Sequence, residues 1–274
     1  MNDLRFAEYF LFTQQSLATF EKCPLKFKKR YLENLKWENF PSEEIKKRLE
    51  LGNNFHLLAY RYFLGIDTGL NESTEGFSQL NRWMKSLENK FKREDNLKYL
   101  PEYKVRMTKG IFRLEANFDL LIVDGDKLEI WDWKTQSKES SQPQRKAKAE
   151  KYKRSLQTIV YLFVLKEQSE RITGREIKCE NIRMCYWQPD PPEILMDIKY
   201  SDELHNAYRE ILKDKIKGIL QYDFSSFDKA LYEKNCKYCE FNWFCNNQRI
   251  DFNEIEKDDD FLDELEWEDI EELT

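Results

Sequence analysis

The sequence predicts an α/β fold in which helices flank a central mixed sheet. Three observations carry that expectation: helical apolar spacing through the first hundred residues, two alternating runs joined at Asp124-Gly125, and alternating helix and strand patterns beyond residue 148. With 41% hydrophobic and 15% aromatic residues, the 274-residue chain can bury a sizeable core. Its length favours one elaborated domain over residues 1–250: a helical part at 1–100, a core at 101–200, and a helix with a cysteine-bearing segment at 201–250. Residues 251–274 form an acidic tail.

In chain order, Thr13 opens a helix that runs through Cys23-Pro24 to about residue 36. A second helix, 43–64, carries Phe55, Leu58, Ala59 and Tyr62 on one face. A third, 75–95, is amphipathic through Phe77, Leu80, Trp83, Met84, Leu87 and Phe91. Pro101 marks a break. Strands are expected at 102–109, 111–123 and 128–135, the last two forming a hairpin about Asp124-Gly125-Asp126. A polar loop at 136–147 leads to a helix at 148–168, and strands follow near 181–188 and 193–199. Ser201 then caps a helix to about Leu220. This order lacks regular βα alternation, and the eight glycines form neither GxGxxG nor GxxxxGK[ST], so those nucleotide-binding routes are excluded.

Charge is unevenly spread. Residues 251–274 hold 13 acids and one Lys, so the remaining 250 residues carry a net charge of about +6. The most basic stretch is Lys134–Arg154, with eight Lys/Arg against two Glu. Such a body attracts phosphate, and such a tail repels it. No apolar run reaches the length of a membrane-spanning helix, and the acid-bearing Met1-Asn-Asp start is unlike a signal peptide. A cytoplasmic chain with no membrane partner is expected.

The hairpin carries the chemistry. Arg113, Glu115, Asn117 and Asp119 alternate with Phe112, Leu114, Ala116, Phe118 and Leu120, which sends the polar set to one face. On the partner strand Asp132 and Lys134 share a face, while Trp131 and Trp133 oppose them. Two converging carboxylates repel unless a cation lies between them, and Mg²⁺ binds through one or two such groups. An adjacent Lys then orients water or neutralises charge on a phosphate. A surface salt bridge is the plainer alternative for an isolated Asp-x-Lys. Against it stand His56, on the edge of an otherwise apolar helix, and Gln157 with Tyr161, four apart on one helical face. His205 has no such company and reads as structural.

In order, His56, Ala116-Asn-Phe-Asp119, Asp132-Trp-Lys134 and Gln157-Thr-Ile-Val-Tyr161 resemble the RecB-like branch of the PD-(D/E)xK nuclease superfamily. They are similar to its iron–sulfur members, the CRISPR-associated RecB-like exonucleases and the AddB nuclease domain. The opening Leu17–Tyr31 resembles that family's first helix, and the likeness covers about residues 13–245. Ala116 stands where many relatives carry Gly, and the motif acid is Asp132 rather than Glu. The resemblance implies a restriction-endonuclease-like core and a metal-dependent DNA nuclease, an exonuclease on single-stranded DNA or free ends. It implies that His56, Asp119, Asp132 and the Trp133 backbone carbonyl hold Mg²⁺ or Mn²⁺, with Glu102 ranked below them. Lys134 would activate water, and Gln157 and Tyr161 would seat the strand.

Cys236-Lys-Tyr-Cys239 followed five residues later by Cys245 clusters three thiols, and a tetrahedral or cubane site needs a fourth. Cys23 is the candidate. A zinc ribbon would bring a second CxxC; one remote Cys plus a triplet instead resembles the [4Fe–4S] staple of the iron–sulfur nucleases, with zinc as the rival. Cys179 and Cys185 read as buried thiols. The tail interleaves Phe261, Leu262, Leu265, Trp267, Ile270 and Leu273 with acids, which suits a solvated segment, an autoinhibitor docked on the basic DNA channel, or a contact with a protein partner. The alternative to a nuclease is a catalytically silent or zinc-stapled nucleic-acid-binding scaffold of the same fold.

Overall fold

The computed structural model describes residues 4–7, 9–35, 43–70, 78–135, 142–236 and 239–248; the acidic tail, Phe77 and residues 136–141 of the expected loop lie outside them. Two compact units result, one from residues up to Glu50 together with those from Asp214 onward, the other from Leu51–Lys213.

The second unit holds the sheet. Its strands are β1 (Lys98–Lys109), β2 (Phe112–Asp124), β3 (Lys127–Trp133), β4 (Ile182–Pro189) and β5 (Pro192–Lys199), in spatial order β1-β2-β3-β4-β5. Every neighbouring pair is antiparallel except β3 and β4, so the sheet is mixed as expected. Asp124 pairs with Lys127 across the Gly125-Asp126 turn, where Gly125 takes φ 58°. Parallel β3 and β4 need a crossover. It is supplied by α5 (Gln142–Arg154) and α6 (Leu156–Thr173), the latter capped by Ser155, whose Oγ accepts from Thr158 N at 3.2 Å. The helix expected at 148–168 is thus two helices, and the first starts inside the predicted loop.

On one face, Phe55, Leu58, Ala59 and Phe63 of α3 (Glu43–Leu64) and Leu80, Trp83, Met84 and Leu87 of α4 (Ser78–Lys90) pack on Leu120, Ile122, Trp131, Trp133 and Trp187. On the other face α6 covers β2, where Phe112 and Phe118 meet Phe163 and Tyr161. Pro101 does not break the chain: it lies in β1, paired with Leu120. A strand with a neighbour on one side only tolerates a residue that cannot donate.

In the other unit α1 (Gln14–Lys22) and α2 (Pro24–Phe27) replace the single expected helix. Pro24 opens α2 at a position where its missing N–H costs nothing, and Cys23 is extended between the two. Thr13 and Ser16 cap α1 reciprocally. Phe20 meets Phe27 and Tyr222 edge-on at 5.5 and 5.2 Å. Arg5 donates to the carbonyls of Ile219 and Tyr222, the former in the last turn of α7 (Asp202–Gln221).

Candidate active site

The site forms where β2 and β3 part. Their backbone pairing ends at Leu120–Trp131. One step beyond, the Asp119 carboxylate accepts the Trp133 N–H at Oδ2, 2.6 Å away, in place of a strand partner. Phe118 faces α6 whereas Leu120 joins the core with α3 and α4. Residues two apart in a regular strand share a face, so the alternation changes phase across Asp119. The expectation that Leu120 follows Phe118 is corrected here. Opposite, Glu102 is skipped in the pairing between Pro101–Leu120 and Tyr103–Phe118, with the register unchanged on either side and left-handed backbone at φ 47°. Such a conformation costs a non-glycine residue about 1–3 kcal/mol.

This irregularity turns two carboxylates towards α3. His56 Nδ1 lies 3.5 Å from Glu102 Oε1 and 3.5 Å from Asp119 Oδ1. The second Glu102 oxygen accepts from Asn117 Nδ2 at 3.2 Å. Each acid therefore has one oxygen fixed and one turned inward. One ligand atom each from His56, Glu102 and Asp119 lies within 4.8 Å of the others, the one such set among the described residues. Glu102 is thus in the group, although the sequence ranked it last. Asp132 is outside the set.

Electrostatics set the charge state of this group. Burial works against the His56 imidazolium, but Asp119, then Glu102 and Asp132, outweigh it and raise its pKa to about 9. Burial foremost pushes the Asp119 carboxyl well above the usual range; His56 opposes this, and Asp132 and Glu102 add to it. Several acids around one proton leave uncompensated charge. One imidazole with two carboxylates fits a hard or borderline divalent cation, which would take the proton's place.

Asp132 and Lys134 form the adjoining half. Lys134 Nζ stands 2.7 Å from Asp132 Oδ1, an ion pair off hydrogen-bond alignment. Gln157 closes the triangle, donating from Nε2 to Asp132 Oδ2 at 2.7 Å and accepting from Lys134 Nζ at Oε1, 3.2 Å away. Behind it, the Tyr186 hydroxyl meets Thr158 Oγ1 at 2.8 Å, and Tyr152 of α5 stacks on the Tyr186 ring at 4.4 Å. Lys134 Nζ is 5.3 Å from the Tyr186 centroid and 6.0 Å from that of Tyr152. Neither tyrosine was singled out in the sequence; a parallel β4 beside β3 was the only route to Tyr186. Tyr161 is buried edge-on against Phe118. His205 is buried elsewhere, bonded to Tyr200 and Glu167.

Gly52, one turn ahead of His56, lets α3 approach the end of β3: a Cβ there would meet Thr135 Oγ1 at 2.9 Å. Gly52→Val is expected to displace His56 and weaken Mn²⁺ binding ~10–100-fold by calorimetry. Unchanged affinity in a folded variant would show that the helix yields without moving its histidine.

The other unit gathers four free thiols. Cys23 Sγ accepts from Lys26 N at 3.4 Å. Burial raises the Cys23 thiol, and Cys236 and Cys245 add to the rise. Cys239 is pushed to about 12, chiefly by burial and Glu240, with Cys23 contributing; Cys245 rises through burial and Cys236. Asn235 Nδ2 donates to the Lys22 carbonyl, and Glu240 pairs with Lys26 and Arg30 at 2.8 and 3.4 Å, tying the first helices to the C-terminal segment. Cys179 and Cys185 are buried in the sheet unit, as expected.

Among solved structures, one named "Putative exonuclease" from Eubacterium rectale is 13% identical with a TM-score of 0.51, covering 90% of this chain and 91% of that one, which shows a shared fold. The structure of SSO0001 is 18% identical over 74% of this chain and 94% of that one; its TM-score of 0.31 carries no argument. No curated protein sequence matches. Residues 11–246 match the family model of the PD-(D/E)XK nuclease superfamily, a span that takes in both halves of the site and all four clustered cysteines, and the chain belongs to that superfamily.

Proposed function

We propose that this chain is a divalent-metal-dependent deoxyribonuclease of the RecB-like branch, an exonuclease acting on single-stranded DNA or free ends, with a structural [4Fe–4S] cluster. The observation that carries the reading is the junction of two networks: His56, Glu102 and Asp119 with inward oxygens and nitrogen, and Lys134 held by Asp132 and Gln157 beside them. His56, Glu102 and Asp119 hold Mg²⁺ or Mn²⁺, with Asp132 and the Trp133 carbonyl completing the site. Bound there, the cation would acidify water and offset phosphate charge. Lys134 positions the attacking water and balances the negative charge that develops on the phosphate. Gln157 holds Lys134 in place, and Tyr161 fixes the helix that carries Gln157. Cys23, Cys236, Cys239 and Cys245 ligate the cluster, which clamps the first helices to the last segment. The chain works in the cytoplasm, and the tail, 251–274, meets a protein partner.

The test is anaerobic purification with iron and sulfide assay, then digestion of 5′- and 3′-labelled single- and double-stranded DNA with Mn²⁺. Iron, sulfide and stepwise shortening from one end are expected. Binding without cleavage would replace the nuclease by a scaffold of the same fold, and a colourless zinc protein would replace the cluster.

A further inference from the structure

Helix α5 carries Arg145, Lys146, Lys148, Lys151, Lys153 and Arg154 against a single acid, Glu150. Apart from Pro143, Ala147, Ala149 and Tyr152 every residue is polar, so the helix has no apolar stripe to hold it on the sheet. Its anchor is Tyr152, stacked on Tyr186 with ring planes 13° apart, while the Tyr152 carbonyl accepts from Thr158 Oγ1 at 2.7 Å. That ring also stands 6.0 Å from Lys134 Nζ. A strongly basic helix therefore sets its aromatic ring beside the lysine of the proposed active site.

Helical geometry then sorts the charges. Lys148 lies four positions before Tyr152, on the face that carries its ring, and Lys151, three beyond Lys148, lies on the flank next to Lys148. Lys153 and Arg154 project to the other side, where Arg154 pairs with Glu150 at 3.7 Å. Lys148 is half-buried and Lys151 exposed.

We infer that α5 is the substrate track of this enzyme: Lys148 and Lys151 grip successive backbone phosphates of a DNA strand and lead it across Tyr152 to Lys134. The inference rests on the nuclease reading above and adds the element that delivers the strand. Cations in a row beside an aromatic ring suit a polyanion held by its backbone.

The test uses the cluster-loaded full chain in Ca²⁺, with binding of a fluorescein-labelled oligothymidylate followed by anisotropy across a salt series. For a single strand, each phosphate contact contributes ~0.7 to the slope of log affinity against log salt. The double variant Lys148→Gln with Lys151→Gln is expected to flatten that slope by about 1.4, two contacts' worth. Lys153→Gln with Arg154→Gln removes the same charge from the other side and is expected to leave the slope within error of the parent. Lys148→Arg with Lys151→Arg is expected to restore it, which separates charge from fold. Equal flattening by both pairs would overturn the track in favour of diffuse attraction. A parent chain that binds no oligonucleotide would instead bring down the nuclease reading, and the track with it.

Discussion

Lys134→Ala is expected to lower kcat for DNA hydrolysis ~10²–10⁴-fold with little change in KM. At about 1.36 kcal/mol per tenfold, that is roughly 3–5.5 kcal/mol of transition-state stabilisation. The size follows from the geometry. Lys134 Nζ is held at 2.7 Å by Asp132 and at 3.2 Å by Gln157, so its ammonium is placed before the substrate arrives and pays no reorganisation. Lys134→Arg keeps the charge, but a guanidinium does not give up its proton at working pH. A variant as poor as alanine would assign a proton-transfer role to the lysine; near-parental activity would assign charge alone. Asp119→Asn should fail differently, losing Mn²⁺ affinity first, because Asp119 Oδ1 faces His56 while Oδ2 takes the Trp133 N–H. A Lys134→Ala enzyme with full kcat and a raised KM would move the residue from catalysis to binding.

Cys23→Ser is expected to abolish iron incorporation and unfold the terminal unit while the sheet unit survives. Serine is a better helix cap than cysteine and can still accept the Lys26 N–H, so α2 keeps its start. What is lost, on the proposed assignment, is a cluster ligand. Structural metal sites supply on the order of 10–16 kcal/mol to small domains, as much as a whole domain's net stability. Limited proteolysis should therefore cut within residues 4–50 or 214–248 of the variant and spare 51–213, and Cys245→Ser should give the same pattern. A Cys23→Ser protein with full iron and parental protease resistance would remove Cys23 from the ligand set.

Much of this was legible because the signals are local. The Asp124-Gly125 turn fixes the hairpin, and the hairpin places Asp132 and Lys134 on the face that Gln157 reaches from α6. The spacing of Phe55, Leu58 and Ala59 fixes which side of α3 is buried, leaving His56 at its edge. Period two has no way to announce the phase change at Asp119; its single trace is the unbroken apolar run Leu120–Val123. Glu102 was undervalued for the same reason, since a left-handed residue in a strand is set by its surroundings. Helix α5 was partly read as loop because it has no apolar stripe. Pro24 did signal the end of α1, and the helical pattern on either side of it hid the break.

The terminal unit joins residues more than two hundred positions apart: Asn235 reaches back to Lys22 across a separation of 213. During synthesis the first helices emerge early and wait through the whole of the sheet unit before their partners leave the ribosome. Residues 51–213 form one continuous stretch and are free to fold in that interval. The sheet unit with its acidic site is thus assembled on the nascent chain before Cys23 can meet the C-terminal cysteines, and loading of the proposed cluster would be the last step in maturation.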